Sequence, residues 1–186
     1  MPSVDQFDHD GTKPAITRDF VLHWSARYQV KPLEIDVLDV VGPAVAKRGY
    51  YHRSDLRQVV LWKSPRSTTY IERNSDNDIE DLTRMALAAP EGLNHRILCL
   101  LDGVGVPIAS ALLTACEPSV FTVTDFRAIE TLWAHGEVSQ RPKYVPYLQV
   151  CRDLANRVET DLRTLDRALW QWSKERGKSS DLDPDK

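Results

Sequence analysis

Two features of this chain have residue types and spacing that could do chemistry: the aspartate Asp125 and the glycine turn Gly103-Val104-Gly105 that precedes it. A carboxylate fixed at the start of a helix can stabilise positive charge as it develops, or orient a water for attack. It can equally do no more than cap its own helix, satisfying free amides and the macrodipole. Two glycines one residue apart let the backbone bend sharply and approach another group with no Cβ in between. The amides of the turn and of the helix behind it then point outward, where phosphate oxygens bind readily. The alternative is an ordinary tight hairpin between helices that serves packing alone. Arg127, two residues past Asp125, suits either a phosphate or a structural carboxylate partner.

A second group is basic and aromatic. Lys47, Arg48, Arg53, Arg57, Lys63, Arg66 and Arg73 outnumber Asp55 and Glu72, with Tyr50, Tyr51 and Trp62 interleaved. Such a set can grip phosphates and stack bases, or be a solvated helix face over core aromatics. The segment Trp62-Lys63-Ser64-Pro65-Arg66 ends a helix in a rigid turn and is expected near Asp125. Tyr144, Tyr147, Arg163 and Arg167 are placed on the far wall of a cleft, and Trp170 and Trp172 in the core. His9, His23, His52, His95 and His135 lack ligand spacing, so no metal is expected. There is no Walker motif, nucleophile elbow or dinucleotide fingerprint, and no cofactor is implied.

The elements that must position these residues are helices. Thr17 or Asp19 caps a helix to about Tyr28, with Phe20, Val21, Trp24 and Tyr28 on one face. Glu34 to Arg48 reads as a helix that Gly42-Pro43 divides into two pieces. Another starts at Ser54-Asp55 and ends near Ser64-Pro65. Ser75 caps a helix over Ile79–Ala89, Pro90 opens the next, and the glycine turn leads into a helix through Cys116. Phe121–Val123 is an extended connector. Thr124-Asp125 starts a helix to about His135, and helices over Val145–Val158 and Asp161–Lys174 close the chain. No stretch alternates like a sheet. The reading is an all-α, compact helical domain over residues 15–177, with a disordered leader (1–14) and tail (178–186).

Composition bounds the function. The 186 residues are 42% hydrophobic and 27% charged, with a net charge of -3, so any nucleic-acid surface must be a local patch. Cys99, Cys116 and Cys151 read as buried thiols of a reducing compartment. The N-terminus has no apolar stretch of signal-peptide type, and no run approaches the roughly 18 apolar residues of a membrane span. A cytoplasmic location, with no membrane partner, is the expectation.

Leu101, Gly103, Val104, Gly105, Ala109 and Leu112 fit the pattern h-x-G-h-G-x-x-x-A-x-x-h, which resembles the helix-hairpin-helix motif, here over about residues 93–116. In the endonuclease III-like branch of the helix-hairpin-helix DNA glycosylases, a catalytic aspartate lies 18 residues beyond the lysine position of the turn. In this chain that position is Pro107, and Asp125 stands 18 residues on. The resemblance spans roughly Leu93 to Trp133. It implies a DNA-glycosylase-like fold, phosphate binding by Gly103, Val104, Gly105 and Val106, and base flipping ahead of catalysis by Asp125. Lys63, Arg66 and Arg127 are read, from their own charge and position, as further DNA contacts.

The chain also departs from the pattern. Pro107 replaces the Schiff-base lysine, which leaves only monofunctional, water-attacking hydrolysis of an N-glycosidic bond. The three cysteines cannot form the four-cysteine loop, so no iron–sulfur cluster is expected. Phe126-Arg127-Ala128 departs from the residues that usually follow the aspartate, and no N-terminal β-domain is expected from these residues. Two readings stand: a monofunctional DNA N-glycosylase-like enzyme, or a non-catalytic helix-hairpin-helix module that binds DNA or a protein. If neither binds DNA, the hairpin is there for packing alone.

Overall fold

The computed structural model describes residues 13–176. All but the last two residues of the expected leader, and the whole of the expected tail, lie outside that range. Among the described residues every regular element is helical. Residues Arg18–Arg27 form α1, Pro32–Asp36 α2, Gly42–Arg48 α3, Arg53–Lys63 α4, Thr68–Ile71 α5 and Asp76–Ala88 α6. Asn94–Leu98 form α7, Val106–Cys116 α8, Phe126–Ala134 α9, Tyr144–Arg157 α10 and Leu162–Arg176 α11. No helix among the described residues is long and apolar enough to cross a membrane.

The sequence reads as one helical domain over 15–177; the chain gathers into two compact units. Among the described residues the first holds 13–28 and 125–176, and so α1, α9, α10 and α11. The second holds residues 29–124, and so α2 to α8.

In the first unit, Thr17 caps α1, its hydroxyl accepting from the Phe20 amide at 3.2 Å. Phe20, Val21 and Trp24 are buried along one side. Helix α11 buries Leu162, Leu165, Ala168 and Leu169. Each fully buried leucine contributes roughly 1.5–3 kcal/mol relative to an exposed one. Helix α9 is tied to α11 by polar bonds as well. The Thr131 hydroxyl donates to the Leu169 carbonyl at 2.6 Å, and the Ser173 hydroxyl donates to the buried Glu130 carboxylate. His135, just past α9, is buried edge-on between Phe20 and Trp172, with ring centroids at 4.8 and 4.9 Å.

In the second unit, the expected break at Gly42-Pro43 is absent. Helix α2 runs through a π-helical turn, Val37–Val41, straight into α3. The proline directly follows the π-helical turn, at the second position of α3. Gly42 serves packing: a Cβ there would lie 1.8 Å from the Ala115 carbonyl oxygen of α8. The helix expected from Pro90 begins later, because Pro90–Leu93 forms a turn and α7 starts at Asn94. Ser75 caps α6 as expected, accepting from the Asp78 amide at 3.1 Å. Tyr51 is fully buried, and its hydroxyl donates to the Leu112 carbonyl of α8 at 2.7 Å.

Candidate nucleic-acid interface

The glycine turn joins α7 to α8 in the second unit. The Val104 amide bonds the Leu101 carbonyl at 3.1 Å, and Val104 is buried. Gly103 has a left-handed backbone, φ +79°, and Gly105 precedes α8 with ordinary extended angles. Among the described residues, the amides of Gly103, Gly105 and Val106 have no protein acceptor. Gly105, Val106 and Pro107 are exposed. The turn therefore offers backbone donors to solvent at the positive end of an 11-residue helix.

The turn is held from one side by residues 70–74. The Asn74 side chain accepts from the Asp102 amide at 2.8 Å and donates to the Asp102 carbonyl at 3.0 Å. Gly103 lies so close to this segment that a Cβ would sit 2.7 Å from the Tyr70 Cβ and 3.0 Å from the Ile71 nitrogen. Tyr70 is half exposed, with the Arg73 guanidinium over its ring at 5.1 Å. Tyr70 and Asn74 escaped the sequence reading. Only the glycine in a positive-φ turn hinted that some backbone approaches there.

Three arginines of the basic cluster are paired inside the second unit. Arg48 pairs with Asp55 and donates to the Tyr50 carbonyl at 3.0 Å. Arg53 bonds Asp76 at 2.6 Å, Glu72 at 3.2 Å and the Asn74 carbonyl at 2.5 Å, and Arg57 approaches Glu72 at 4.0 Å. These arginines hold the α4–α6 region together. Lys63 closes α4 and Arg66 lies in the short 3-10 turn that follows; both belong to the second unit, whereas Asp125 and Arg127 belong to the first. Arg73 has no carboxylate within ion-pairing distance among the described residues.

The second unit ends on the extended connector. Phe121 to Thr124 are buried, and the Thr124 amide donates to the Ser110 hydroxyl of α8 at 2.9 Å. Asp125 is the next residue and opens the first unit. It is the N-cap of α9, half-buried, with Oδ1 accepting from the Arg127 amide at 2.9 Å. Its charge reaches the fully buried Tyr147. Burial, chiefly, and then the neighbouring Cys151, Asp166 and Asp125 hold that phenol well above its ordinary range. Tyr144 and Tyr147 are core residues, not walls of a cleft, and Arg163 is paired with Asp166 in a largely buried ion pair.

Two surfaces of the first unit include residues that follow Asp125 in the chain. One is a cavity of about 240 Å³ lined by Phe126, Ile129, Trp133, Gln140 and Arg141. The other is built from cations on rings. The Arg127 guanidinium lies 5.0 Å from the Phe126 ring centre and 5.6 Å from that of Trp170. Lys174 covers Trp170 at 5.1 Å, Tyr28 meets Trp170 edge-on at 5.5 Å, and Arg167 lies 5.7 Å from the Tyr28 ring. Trp170 and Trp172, expected in the core, are half-buried. The α9–α11 hydrogen bonds set this up, because Thr131 and Leu169 lie one turn beyond Arg127 and beside Trp170.

The thiols are chemically quiet. Burial pushes Cys116 up to about 11, and burial likewise raises Cys99 and Cys151, so none is a ready thiolate. Among the described residues no cluster of three metal-ligating side chains forms. No protein-family model, curated protein or solved structure matches this chain.

Proposed function

We propose that this chain is a DNA-binding protein that grips the phosphate backbone with the α7–α8 turn, and that it hydrolyses an N-glycosidic bond using Asp125. The observation that carries the reading is the turn. It presents three exposed or half-exposed backbone donors without protein acceptors at the head of a buried apolar helix, with the Arg73 cation on the segment that braces it. Asp102, exposed beside the turn, opposes an anion electrostatically, so the turn binds phosphate through directed amides more than through net charge.

The catalytic half rests on the spacing from Pro107 to Asp125 and on the aromatic and cationic residues around Asp125. A carboxylate there would stabilise the positive charge that builds on the sugar as the bond to the base breaks. Pro107 offers no amine, so water is the nucleophile. DNA binding without catalysis is a second reading, and one observation favours it: Asp125 Oδ1 is already engaged as a helix cap.

The test is a screen of duplexes with different base lesions for abasic-site formation, with Asp125→Asn beside the wild type. Asparagine caps helices as well as aspartate does, so the variant keeps the fold and loses the charge. Base release by the wild type and none by the variant supports catalysis. Binding without release by either supports the second reading. An absence of salt-dependent DNA affinity overturns both.

A further inference from the structure

The cation-bearing face of α11, half-buried at Arg167 and Trp170 and exposed at Lys174, lies outside the turn described above. Arg167, Trp170 and Lys174 recur at helical spacing on one side of that helix, and Arg127 of α9 meets them at Trp170. Arg127 and Lys174 make no ion pair among the described residues. Each lies over a ring face, and neither has the carboxylate hydrogen bond that holds Arg48 and Arg53, although Glu175 stands beside Lys174. The aromatic members, Phe126, Trp170 and Tyr28, supply flat apolar surface that is only partly buried.

A cation with no carboxylate hydrogen bond remains available to a phosphate, and a partly exposed indole can stack any base, because every base has a π-face. Lys174 is solvent-exposed on a flexible stem, so its ammonium can leave the indole for a phosphate while a base takes its place. Arg127 cannot move so freely. It is half-buried between two rings and stays as the fixed side of the stack. Asp125, whose carboxylate caps the backbone amide of this same Arg127, stands at the edge of the platform.

We propose that Trp170, with Arg127 and Lys174, is a stacking platform for an unpaired nucleotide of DNA, the indole taking the base and the two cations its flanking phosphates. The inference rests on the DNA-binding reading above and adds to it a preference for DNA with an unstacked base over fully paired DNA.

The experiment measures binding of the full-length chain by fluorescence anisotropy to three labelled oligonucleotides: a paired duplex, the same duplex with one unpaired nucleotide, and the single strand. For Trp170→Ala, affinity for the bulged duplex and the single strand is expected to fall roughly tenfold, with the paired duplex changed less than twofold. Trp170→Phe keeps a ring and should recover part of the loss, which separates stacking from misfolding; circular dichroism and the melting temperature of each variant complete that control. The double variant Arg127→Gln/Lys174→Gln is expected to lower the salt-dependence slope for the single strand by about 1.4. The platform is overturned if Trp170→Ala weakens all three ligands equally, if it weakens none, or if the wild type does not prefer the unpaired nucleotide. Should the wild type bind the paired duplex with the usual salt dependence, the underlying DNA reading survives that failure. Should it bind no DNA, both fall together.

Discussion

Two clusters of cations, one in each unit, meet their neighbours in opposite ways. Around α4 to α6, Arg48 and Arg53 meet Asp55, Asp76 and Glu72 at hydrogen-bonding distance, and the ions cancel. Around α9 and α11, Arg127 and Lys174 meet Phe126 and Trp170. A carboxylate neutralises a guanidinium; a ring face only shelters it, leaving most of its field for a ligand. The two places where a nucleic acid could be held are accordingly different in kind. In the second unit the donors are backbone amides of the α7–α8 turn. In the first they are side chains. A count of basic residues in the sequence picks the stretch from Lys47 to Arg73, much of which the fold neutralises.

Several substitutions probe this contrast, beginning with the largest effect. Asp125→Asn is expected to lower single-turnover base release by on the order of 10²-fold or more, with duplex affinity unchanged. Equal rates in variant and wild type would remove Asp125 from any chemistry and leave only its cap.

Next come the two glycines of the turn, which should separate. Gly103→Ala puts a Cβ in a left-handed backbone and 2.7 Å from the Tyr70 Cβ. It should cost about 1–3 kcal/mol of stability by urea denaturation and disrupt the turn as well. Gly105→Ala meets nothing closer than the Pro107 Cδ at 3.8 Å. It should leave stability within about 0.5 kcal/mol while weakening duplex binding several-fold, because the new methyl group stands where a phosphate approaches. If Gly105→Ala binds duplex as tightly as the wild type, the turn is packing alone.

Arg53 and Arg127 form the direct exchange between regions. Arg53→Gln should lower stability by about 1 kcal/mol and barely change the salt slope of DNA binding. Arg127→Gln should do the reverse. A result in which Arg53 governs binding would return the interface to the stretch that the sequence suggests.

The smallest effect concerns pH. Burial between Phe20 and Trp172 holds His135 below its ordinary value, against an opposing bond from its Nδ1 to the Pro14 carbonyl at 2.7 Å. The unfolded chain therefore binds a proton more readily than the folded one. Stability is greatest above the ordinary histidine value near 6.5 and falls as pH drops below it. Urea midpoints at pH 7.5 and pH 5.5 should show this decline, and His135→Phe should reduce it. An unchanged slope in the variant would place the titrating group elsewhere.

How far the chain could be read from its residues varied with the range of the interaction involved. The caps at Thr17, Ser75 and Asp125 were legible because a cap is decided by residues three or fewer positions away. The all-helical class followed from apolar spacing. The continuity of α2 into α3 was not legible: Gly42-Pro43 looks like a break unless one knows that α8 passes against Gly42. Asn74 and Tyr70 could not be found either, since they reach the turn only by tertiary packing.

The sequence by itself determined the helices, the glycine turn and the capping aspartate, because those depend on backbone geometry and near neighbours. Only the tertiary structure decided which cations meet a carboxylate and which meet a ring. Whether an arginine meets a carboxylate or an indole depends on residues far away in the chain, as Arg127 and Trp170 show from 43 positions apart. Pairing of that kind is a property of packed helices, and no local pattern encodes it.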